Sequence, residues 1–399
     1  SPRTVRRLTK EALDRFAPSW PDFLPQVIKE QARLLDLPQA LRQAHFLDSP
    51  ALQDRARQRL AFDELFLIQL GMIGRKRQWQ QGQSAPVLEG EKGCLQAFLA
   101  SLPFPLTPAQ ERVMKEIRDD LSRDRPMSRL LQGEVGSGKT VVATVALLLA
   151  ATSGYQASFM APTEILAEQH FQSLGRLLSG LPHPAAEGYL LSIRLDPWPR
   201  PILLGLLTGS LKEKEKEALR GLIAQGAVDI VIGTHALIEG EVEFAKLGLA
   251  VIDEQHRFGV MQRSALRQKG SSPHMLAMTA TPIPRTLALT LYGDLDLSVL
   301  DQLPPGRQEI KTRWLRPDQR EGAYEFVRRQ ATQGRQAFVI CPLIEESEAI
   351  EAKAATTEYQ RLSQEVFPDL RLGLLHGRMP SAEKEEAMRR FRAGELDVL

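Results

Sequence analysis

The chain has 399 residues, of which 43% are hydrophobic and 25% are charged, and its formal net charge is +2. This length predicts about two or three domains, each able to bury a core of its own, and so small a net charge excludes a polyanion-binding surface spread over the whole chain. The longest apolar run, 141–151, is about half a membrane span, so no membrane partner is predicted. Cys94 and Cys341 are too far apart for a metal or redox motif, which favours reduced thiols in a cytoplasmic protein.

Residues 1–92 are predicted to form a helical segment. A long helix is predicted to begin at Pro50, because apolar residues then recur at roughly helical spacing. These residues are Leu60, Leu65, Ile68, Met72 and Ile73. The helix is predicted to end in the basic cluster 75–77, before a linker at 80–86 that is rich in Gln, Gly, Ser and Pro. Two interpretations stay open for this basic segment: a solvated helical connector, or a surface that faces nucleic acid.

Residues 93–300 alternate short apolar strands with helical stretches. Continuous apolar strands in this arrangement predict an α/β domain with a parallel sheet covered on both faces. We expect the strands at 129–131, 158–160, 203–207, 229–232, 249–252 and 275–278. The stretch 180–201 is rich in Pro and Gly, and we expect it to be an inserted surface loop.

A second α/β unit is predicted after a turn-rich boundary at 301–306. Its predicted elements are strands at 337–340 and 372–375 and a helix from Ser381. The chain begins with Ser1 rather than Met, and its apolar end at 397–399 resembles an interrupted strand. We therefore expect a piece of a longer protein, with a partial second domain over 301–399.

One motif in the chain predicts phosphate binding. The pattern G-x-x-x-x-G-K-[ST] is typical of phosphate-binding loops, and it is matched by Gly133, Gly138, Lys139 and Thr140, with Gly136 between them. Glycines let such a loop curl so that its N–H groups point at phosphate oxygens. Lys139 can reach the β- and γ-phosphates, and the Thr140 hydroxyl can hold Mg²⁺. The loop therefore predicts a nucleoside triphosphate and Mg²⁺ as cofactors.

Two carboxylates follow the predicted strand 249–252. Asp253 and Glu254 lie where open α/β sheets build their sites. Asp253 can complete the Mg²⁺ shell, and Glu254 can orient or deprotonate the attacking water. An Asp-Glu pair after a strand can also be a simple loop cap, but the phosphate loop upstream favours the metal-and-base interpretation.

Gln110 precedes the phosphate loop in the sequence FPLTPAQ. Its amide both donates and accepts, so it can read the edge of an adenine base. Thr107 followed by Pro108 also has the pattern of a helix N-cap, and the two roles are compatible.

A stiff loop of hydroxyls and prolines follows the predicted strand 275–278. It contains Thr279, Thr281 and Arg285. This loop could sense the γ-phosphate through Glu254 or His256 and transmit its loss, although on its own it is also explained as an ordinary turn.

Three further strand ends carry small polar residues where a helix begins. They contain Thr163, then Thr208 with Ser210, and Thr234. Helix N-terminal N–H groups and hydroxyls suit the phosphate oxygens of a nucleic-acid backbone, although each end alone is also explained as a capped helix. Because no aromatic stacking cluster is evident, sequence-independent contact with the backbone is favoured.

Together these segments resemble the superfamily-two helicases, and among them the RecG family of bacterial DNA-repair translocases. The resemblance is dense over 100–310 and weaker over 335–380 and the basic N-terminal helices. It rests on segments in family order: FPLTPAQ, RLLQGEVGSGKTVVA, MAPTEILAEQH, LLTGSLK, IVIGTHALI, VIDEQHRFGVMQR, MTATPIPRT and LPPGR. The resemblance implies a RecA-like phosphate-loop domain at 93–300 that binds ATP and Mg²⁺, with Gln110 at adenine.

The resemblance also implies roles for the remaining residues. Lys139, Asp253, Glu254 and His256 would be catalytic. Thr163, Thr208, Ser210 and Thr234 would lie on the DNA path, and Arg285 with the loop Thr279–Thr281 would couple hydrolysis to movement. RecG-like proteins unwind or regress branched DNA such as stalled forks and Holliday junctions, which implies DNA repair and recombination by a monomer in the bacterial cytoplasm, at the nucleoid.

The resemblance further implies that parts of the family's machinery lie outside this chain. The wedge domain would precede residue 1, and the arginine fingers would follow Leu399, so we expect ATP binding with little hydrolysis. One alternative is the transcription-repair coupling translocase, which shares TATPIPRT, although DEQH and GSGKT favour RecG. Two others are a module that binds ATP and DNA without turnover, and a phosphate-loop enzyme that acts on protein partners.

Overall fold

The computed structural model describes residues 2–180, 188–237, 242–254, 272–281, 295–304, 310–341 and 348–399. They fall into two compact units, Ser1–Arg307 and Gln308–Leu399. Within these ranges no helix is long and apolar enough to cross a lipid bilayer.

The first unit begins with four helices: α1 (Pro2–Phe16), α2 (Gln26–Gln31), α3 (Leu37–His45) and α4 (Pro50–Gln81). The Ser49 hydroxyl caps α4 by accepting from the Leu52 N–H, and Pro50 occupies the first turn. The predicted helical segment and the long helix from Pro50 are therefore confirmed. The helix continues through the basic cluster to Gln81, because nothing before Gly82 breaks it.

A buried arginine holds these helices together. The Arg59 side chain on α4 is fully buried. It donates to both Asp22 carboxylate oxygens at 2.9 and 2.6 Å, to Asp63 at 2.9 Å and to the Leu35 carbonyl at 2.6 Å. The hydrogen bonds from Arg59 hold the pKa of the Asp22 carboxyl well below its ordinary value. Removing one partner would leave the other charge buried and unpaired, which is strongly destabilising.

The rest of the first unit is built on a sheet of eight strands among the described residues. Their order is β3-β4-β5-β2-β6-β7-β1-β8, and every pair is parallel except β3 with β4. The strands are β1 (Ser128–Gly133), β2 (Gln156–Met160), β3 (Leu190–Ile193), β4 (Ile202–Leu207), β5 (Ile230–Gly233), β6 (Leu247–Ile252), β7 (His274–Thr279) and β8 (Asp296–Leu300). All six predicted strands are present, so the predicted α/β class and parallel sheet are confirmed.

Helices of this unit surround the sheet and supply its core. They are α5 (Cys94–Ser101), α6 (Pro108–Leu121), α7 (Lys139–Thr152), α8 (Glu164–Ser179) and α9 (Glu213–Ala224). Helix α7 is buried from Val141 to its end, which explains why its sequence is apolar on every side. This central helix holds the end of β1 in a fixed position.

The expectation of a surface loop over 180–201 is wrong for part of that stretch. Strand β3 lies within it and pairs antiparallel with β4, from Leu190 opposite Gly205 to Ile193 opposite Ile202. Leu191 and Ile193 are buried and Ser192 is exposed. The strand is short, and its alternation is hidden among flanking Pro and Gly, so only the packed edge of the sheet reveals it. Residues 181–187 lie outside the described ranges.

The second unit contains α10 (Arg320–Thr332), α11 (Glu348–Arg361) and α12 (Ser381–Arg392). The helix predicted from Ser381 is therefore present. The stretches predicted as strands form only single parallel bridges, Ala337 with Val398 and Leu372 with Val398. The apolar end 397–399 thus lies between them, and three extended segments meet at Val398 without reaching regular strand length.

Candidate functional site

The phosphate loop connects β1, which ends at Gly133, to α7, which begins at Lys139. Gly138 has a φ of 91°, in the left-handed region that favours glycine. A Cβ at this position would also lie 2.2 Å from the Nε2 atom of Gln110. Glycine is therefore required at 138 by both the backbone and the neighbouring side chain. The N-terminal end of α7, which carries the positive end of the helix dipole, follows directly and suits an anion.

A cavity of about 460 Å³ opens at this end of the sheet. It brings together seven of the predicted site residues: Gln110, Gly136, Gly138, Lys139, Thr140, Asp253 and Glu254. Helix α8 contributes Leu166, Gln169, His170 and Ser173, and the end of β7 contributes Met278 and Ala280. The phosphate loop and the two carboxylates, which are far apart in the sequence, therefore share one site.

Lys139 lies at the mouth of the loop as a hydrogen-bond donor. Its Nζ donates to the Gly133 carbonyl at 2.7 Å and to the Glu134 carbonyl at 3.0 Å. Burial lowers the pKa of Lys139, and the carboxylates of Asp253 and Glu254 act in the opposite direction. The two loop carbonyls hold the Lys139 ammonium group in place, so a phosphate bound in the loop would accept a charge-assisted hydrogen bond from it.

Asp253 and Glu254 follow β6 in a constrained geometry. The Asp253 N–H donates to the Met160 carbonyl of β2 at 2.8 Å, which extends the sheet by one residue. Glu254 has a φ of 49°, which is uncommon for a residue with a side chain. Its N–H donates to Asp253 Oδ1 at 3.0 Å. The turn therefore directs the Asp253 carboxylate into the cavity and holds Glu254 beside it. The positive φ of Glu254 costs about 1–3 kcal/mol of backbone strain.

His170 is a site residue that sequence reasoning missed. Its Nε2 lies 2.8 Å from Asp253 Oδ2, and its ring packs on Phe159 with centroids 4.4 Å apart. The spacing of Leu166, His170 and Ser173, one helical face that lines the cavity, is the signal that could have identified it.

Gln110 forms a capping box with Thr107. The Gln110 Oε1 accepts from the Thr107 N–H at 2.9 Å, and the Gln110 N–H donates to Thr107 Oγ1 at 3.2 Å. Its Nε2 donates to the Ser137 carbonyl of the phosphate loop at 2.9 Å. The helix-cap interpretation is confirmed. The side chain is only 1% exposed, and contact with adenine stays a prediction that would use its second amide hydrogen and second lone pair.

The donor set suits Mg²⁺ held partly by phosphate. Across the described ranges no three His, Cys, Asp or Glu side chains form a metal-binding group. Mg²⁺ is commonly held by one or two protein oxygens together with substrate phosphates and water. The hydroxyl of Thr140 and the carboxylate of Asp253, both at the cavity, fit that arrangement.

The predicted coupling loop lies at the edge of the same cavity. The hydroxyls of Thr279 and Thr281 are 2.8 Å apart, and the Thr281 N–H donates to Thr279 Oγ1 at 3.2 Å. Ala280 between them lines the cavity. The two other residues predicted to act here, His256 and Arg285, lie outside the described residues.

The predicted nucleic-acid residues differ in exposure. Thr163 is exposed and caps α8, since its Oγ1 accepts from the Leu166 N–H at 3.4 Å, and Ser210 is exposed as well. Thr208 and Thr234 are only 1% and 2% exposed, and the Thr208 hydroxyl lies 2.9 Å from that of Ser210. A side chain this buried has little surface for a phosphate, so the accessible hydroxyls at these strand ends are those of Thr163 and Ser210.

The site belongs to a known family. Residues 107–290 match the DEAD/DEAH box helicases. The chain is similar to the protein named ATP-dependent DNA helicase RecG of Synechocystis sp., with 47% identity over 378 residues, which covers 95% of this chain and 43% of that relative. It is 44% identical over 398 residues to the protein of the same name from Bacillus subtilis, which covers 100% of this chain and 55% of that relative.

Comparison with solved structures also finds similarity to helicases. The structure described as RecG bound to a three-way DNA junction has a TM-score of 0.73 and 39% identity, and the match covers 100% of this chain and 50% of that chain. A DEAD-box helicase bound to single-stranded RNA, with a TM-score of 0.54 and 17% identity, covers 78% of this chain and 63% of its own and shares the fold alone. The chain spans about half the length of the RecG relatives that it matches. It belongs to the RecG family of superfamily-two helicases.

Proposed function

We propose that this chain is the ATP-binding part of a DNA helicase that acts on branched DNA, such as stalled replication forks and Holliday junctions, in recombination and repair. The observation that carries the proposal is the single cavity in which the phosphate loop meets Asp253 and Glu254. Membership of the RecG family supports DNA as the substrate, since one solved relative is described as bound to a three-way DNA junction.

In the proposed reaction the chain's residues bind and orient ATP with Mg²⁺. Gly136, Gly138 and Lys139 bind the phosphates, and Lys139 exchanges its two carbonyl contacts for phosphate oxygens. Thr140 and Asp253 would hold Mg²⁺, and the ion would supply positive charge beside the phosphates. Glu254 orients the attacking water and accepts its proton. We assign Gln110, which lines the same cavity, to adenine.

The remaining catalytic and coupling roles rest on the family resemblance. We assign His256 to catalysis and Arg285 to coupling. The loop of Thr279 and Thr281 is assigned to sensing the γ-phosphate, and the position of Ala280 at the cavity supports that role.

The proposed DNA contacts are to the phosphate backbone and are independent of sequence. Thr163 and Ser210 are the accessible hydroxyls for them, with Thr208 and Thr234 beneath the surface. We propose that 1–92 is a helical connector, 93–300 the ATP-binding domain and 301–399 part of a second RecA-like domain. The protein would act as a monomer in the bacterial cytoplasm, at the nucleoid. A transcription-repair coupling translocase is not favoured, since the matching relatives at 42–47% identity carry the RecG name.

The test compares ATP hydrolysis by the full-length protein on a synthetic fork and on linear duplex of equal length. We expect the fork to stimulate turnover more strongly. Glu254→Gln should keep ATP binding and lose turnover, and Lys139→Ala should lose ATP binding. The exposed Lys115→Ala on α6 is the matched control and should behave as wild type. Equal stimulation by both DNAs, or full turnover by Glu254→Gln, would contradict the proposal.

A further inference from the structure

His170 makes a contact that has no role in the proposed reaction. It lies on α8, and its Nε2 is 2.8 Å from Asp253 Oδ2. An ionised carboxylate can only accept, so Nε2 carries the hydrogen and donates it. The imidazole ring is tilted 45° against Phe159 with centroids 4.4 Å apart, which restricts its rotation. The His170 and Asp253 side chains are 14% and 12% exposed, so water competes little for this bond.

The two oxygens of Asp253 are each held by a different element. Oδ1 accepts from the Glu254 N–H at 3.0 Å, and Oδ2 is held by His170 at 2.8 Å. A carboxylate held at both oxygens cannot rotate about its terminal bond without breaking a hydrogen bond. Each oxygen keeps a second lone pair, which leaves the group able to bind a cation.

We propose that His170 is a positioning residue for Asp253, which fixes the plane of the carboxylate that holds Mg²⁺. This inference rests on the proposed function, since it takes Asp253 as the metal ligand. Hydrogen-bonding partners that orient a metal ligand typically contribute about 10–100-fold to metal affinity. His170 would not touch the nucleotide or the metal itself, so its removal should weaken Mg²⁺ binding and leave metal-free nucleotide binding intact.

The experiment measures binding of a fluorescent ATP analogue to the full-length protein, with Mg²⁺ titrated from EDTA-treated buffer. His170→Phe keeps a ring on Phe159 and removes the donor, so we expect at least about a tenfold higher Mg²⁺ requirement with unchanged affinity for the metal-free analogue. His170→Gln returns an N–H donor and should recover most of the loss. Gln172→Ala, on the exposed side of α8, is the control and should match wild type.

A second readout needs neither metal nor nucleotide. Long-range ¹H–¹⁵N spectra of ¹⁵N-histidine-labelled protein should show His170 as the tautomer with its hydrogen on Nε2, and Asp253→Ala should remove that preference. An unchanged Mg²⁺ requirement in His170→Phe, or His170 with its hydrogen on Nδ1 alone, overturns the proposal. Failure of the wild-type protein to bind the analogue at all would instead refute the proposed ATP site.

Discussion

Replacing Gly138 with alanine places a methyl group where the Gln110 amide already lies. The new Cβ would be 2.2 Å from Gln110 Nε2, a distance that no contact tolerates. The Gln110 side chain would have to leave the Ser137 carbonyl, to which it now donates at 2.9 Å. The alanine would also have to adopt the φ of 91° that glycine has there.

The cost of Gly138→Ala has two parts, one from the backbone and one from the displaced Gln110 side chain. A left-handed backbone costs alanine about 1–2 kcal/mol. Breaking the buried hydrogen bond and leaving its partners unpaired adds about 1–2 kcal/mol. We therefore expect Gly138→Ala to lower the free energy of unfolding of the first unit by about 3 kcal/mol. In a Gln110→Ala background the displaced amide is absent, so the same change should cost only the backbone part.

The assay is native-state hydrogen exchange of the α7 amides in wild type, both single variants and the double variant. The two single costs should sum to about 1–2 kcal/mol more than the cost of the double variant. Gly154→Ala is the control, because Gly154 has a φ of 78° and no atom lies within 4 Å of the point that a Cβ would occupy there, so it tests backbone strain alone. Costs of Gly138→Ala and Gln110→Ala that add to within about 0.5 kcal/mol would refute the reasoning.

Three further predictions address stability and DNA binding. The His274 side chain is buried and its Nδ1 accepts from the Met127 N–H at 3.0 Å. Burial lowers the pKa of His274. As the pH falls, this histidine is therefore protonated in the unfolded chain before it is protonated in the folded protein. The free energy of unfolding should therefore fall as the pH drops below 6.5, the ordinary pKa of histidine. In urea titrations at about pH 5.5–7.5, His274→Phe should make the free energy of unfolding depend less on pH. An unchanged pH dependence would contradict the assignment. Arg59→Met leaves Asp22 without its main partner, which should cost about 3–5 kcal/mol by hydrogen exchange in α4, with the double variant Arg59→Met/Asp22→Leu recovering most of it. Thr163→Asp puts a negative charge at a solvent-accessible helix cap and should weaken DNA binding about tenfold at every sequence tested, as measured by fluorescence anisotropy at fixed salt; unaltered affinity would remove Thr163 from the DNA path.

The phosphate loop and the sheet could be predicted from the sequence because their signals are local. The left-handed backbone at Gly138 is a requirement that the motif already contains, and the six predicted strands are continuous apolar runs. Strand β3 escaped prediction because it is a short edge strand whose burial depends on β4 beside it. The burial of Thr208 and Thr234 also could not be predicted from a capping pattern, since a helix-capping side chain can be either exposed or buried.

The sequence alone determined the family of the chain and the positions predicted to carry its chemistry, because a phosphate-loop motif and an acidic pair after a strand are encoded over a few neighbouring positions. The tertiary structure decided which distant groups meet. Gln110 reaches the loop across 27 positions and His170 reaches Asp253 across 83. Parallel strands bring their ends to one edge whatever their separation in the chain, and side chains on the covering helices then complete the site. Such contacts depend on packing, and no short stretch of sequence contains them.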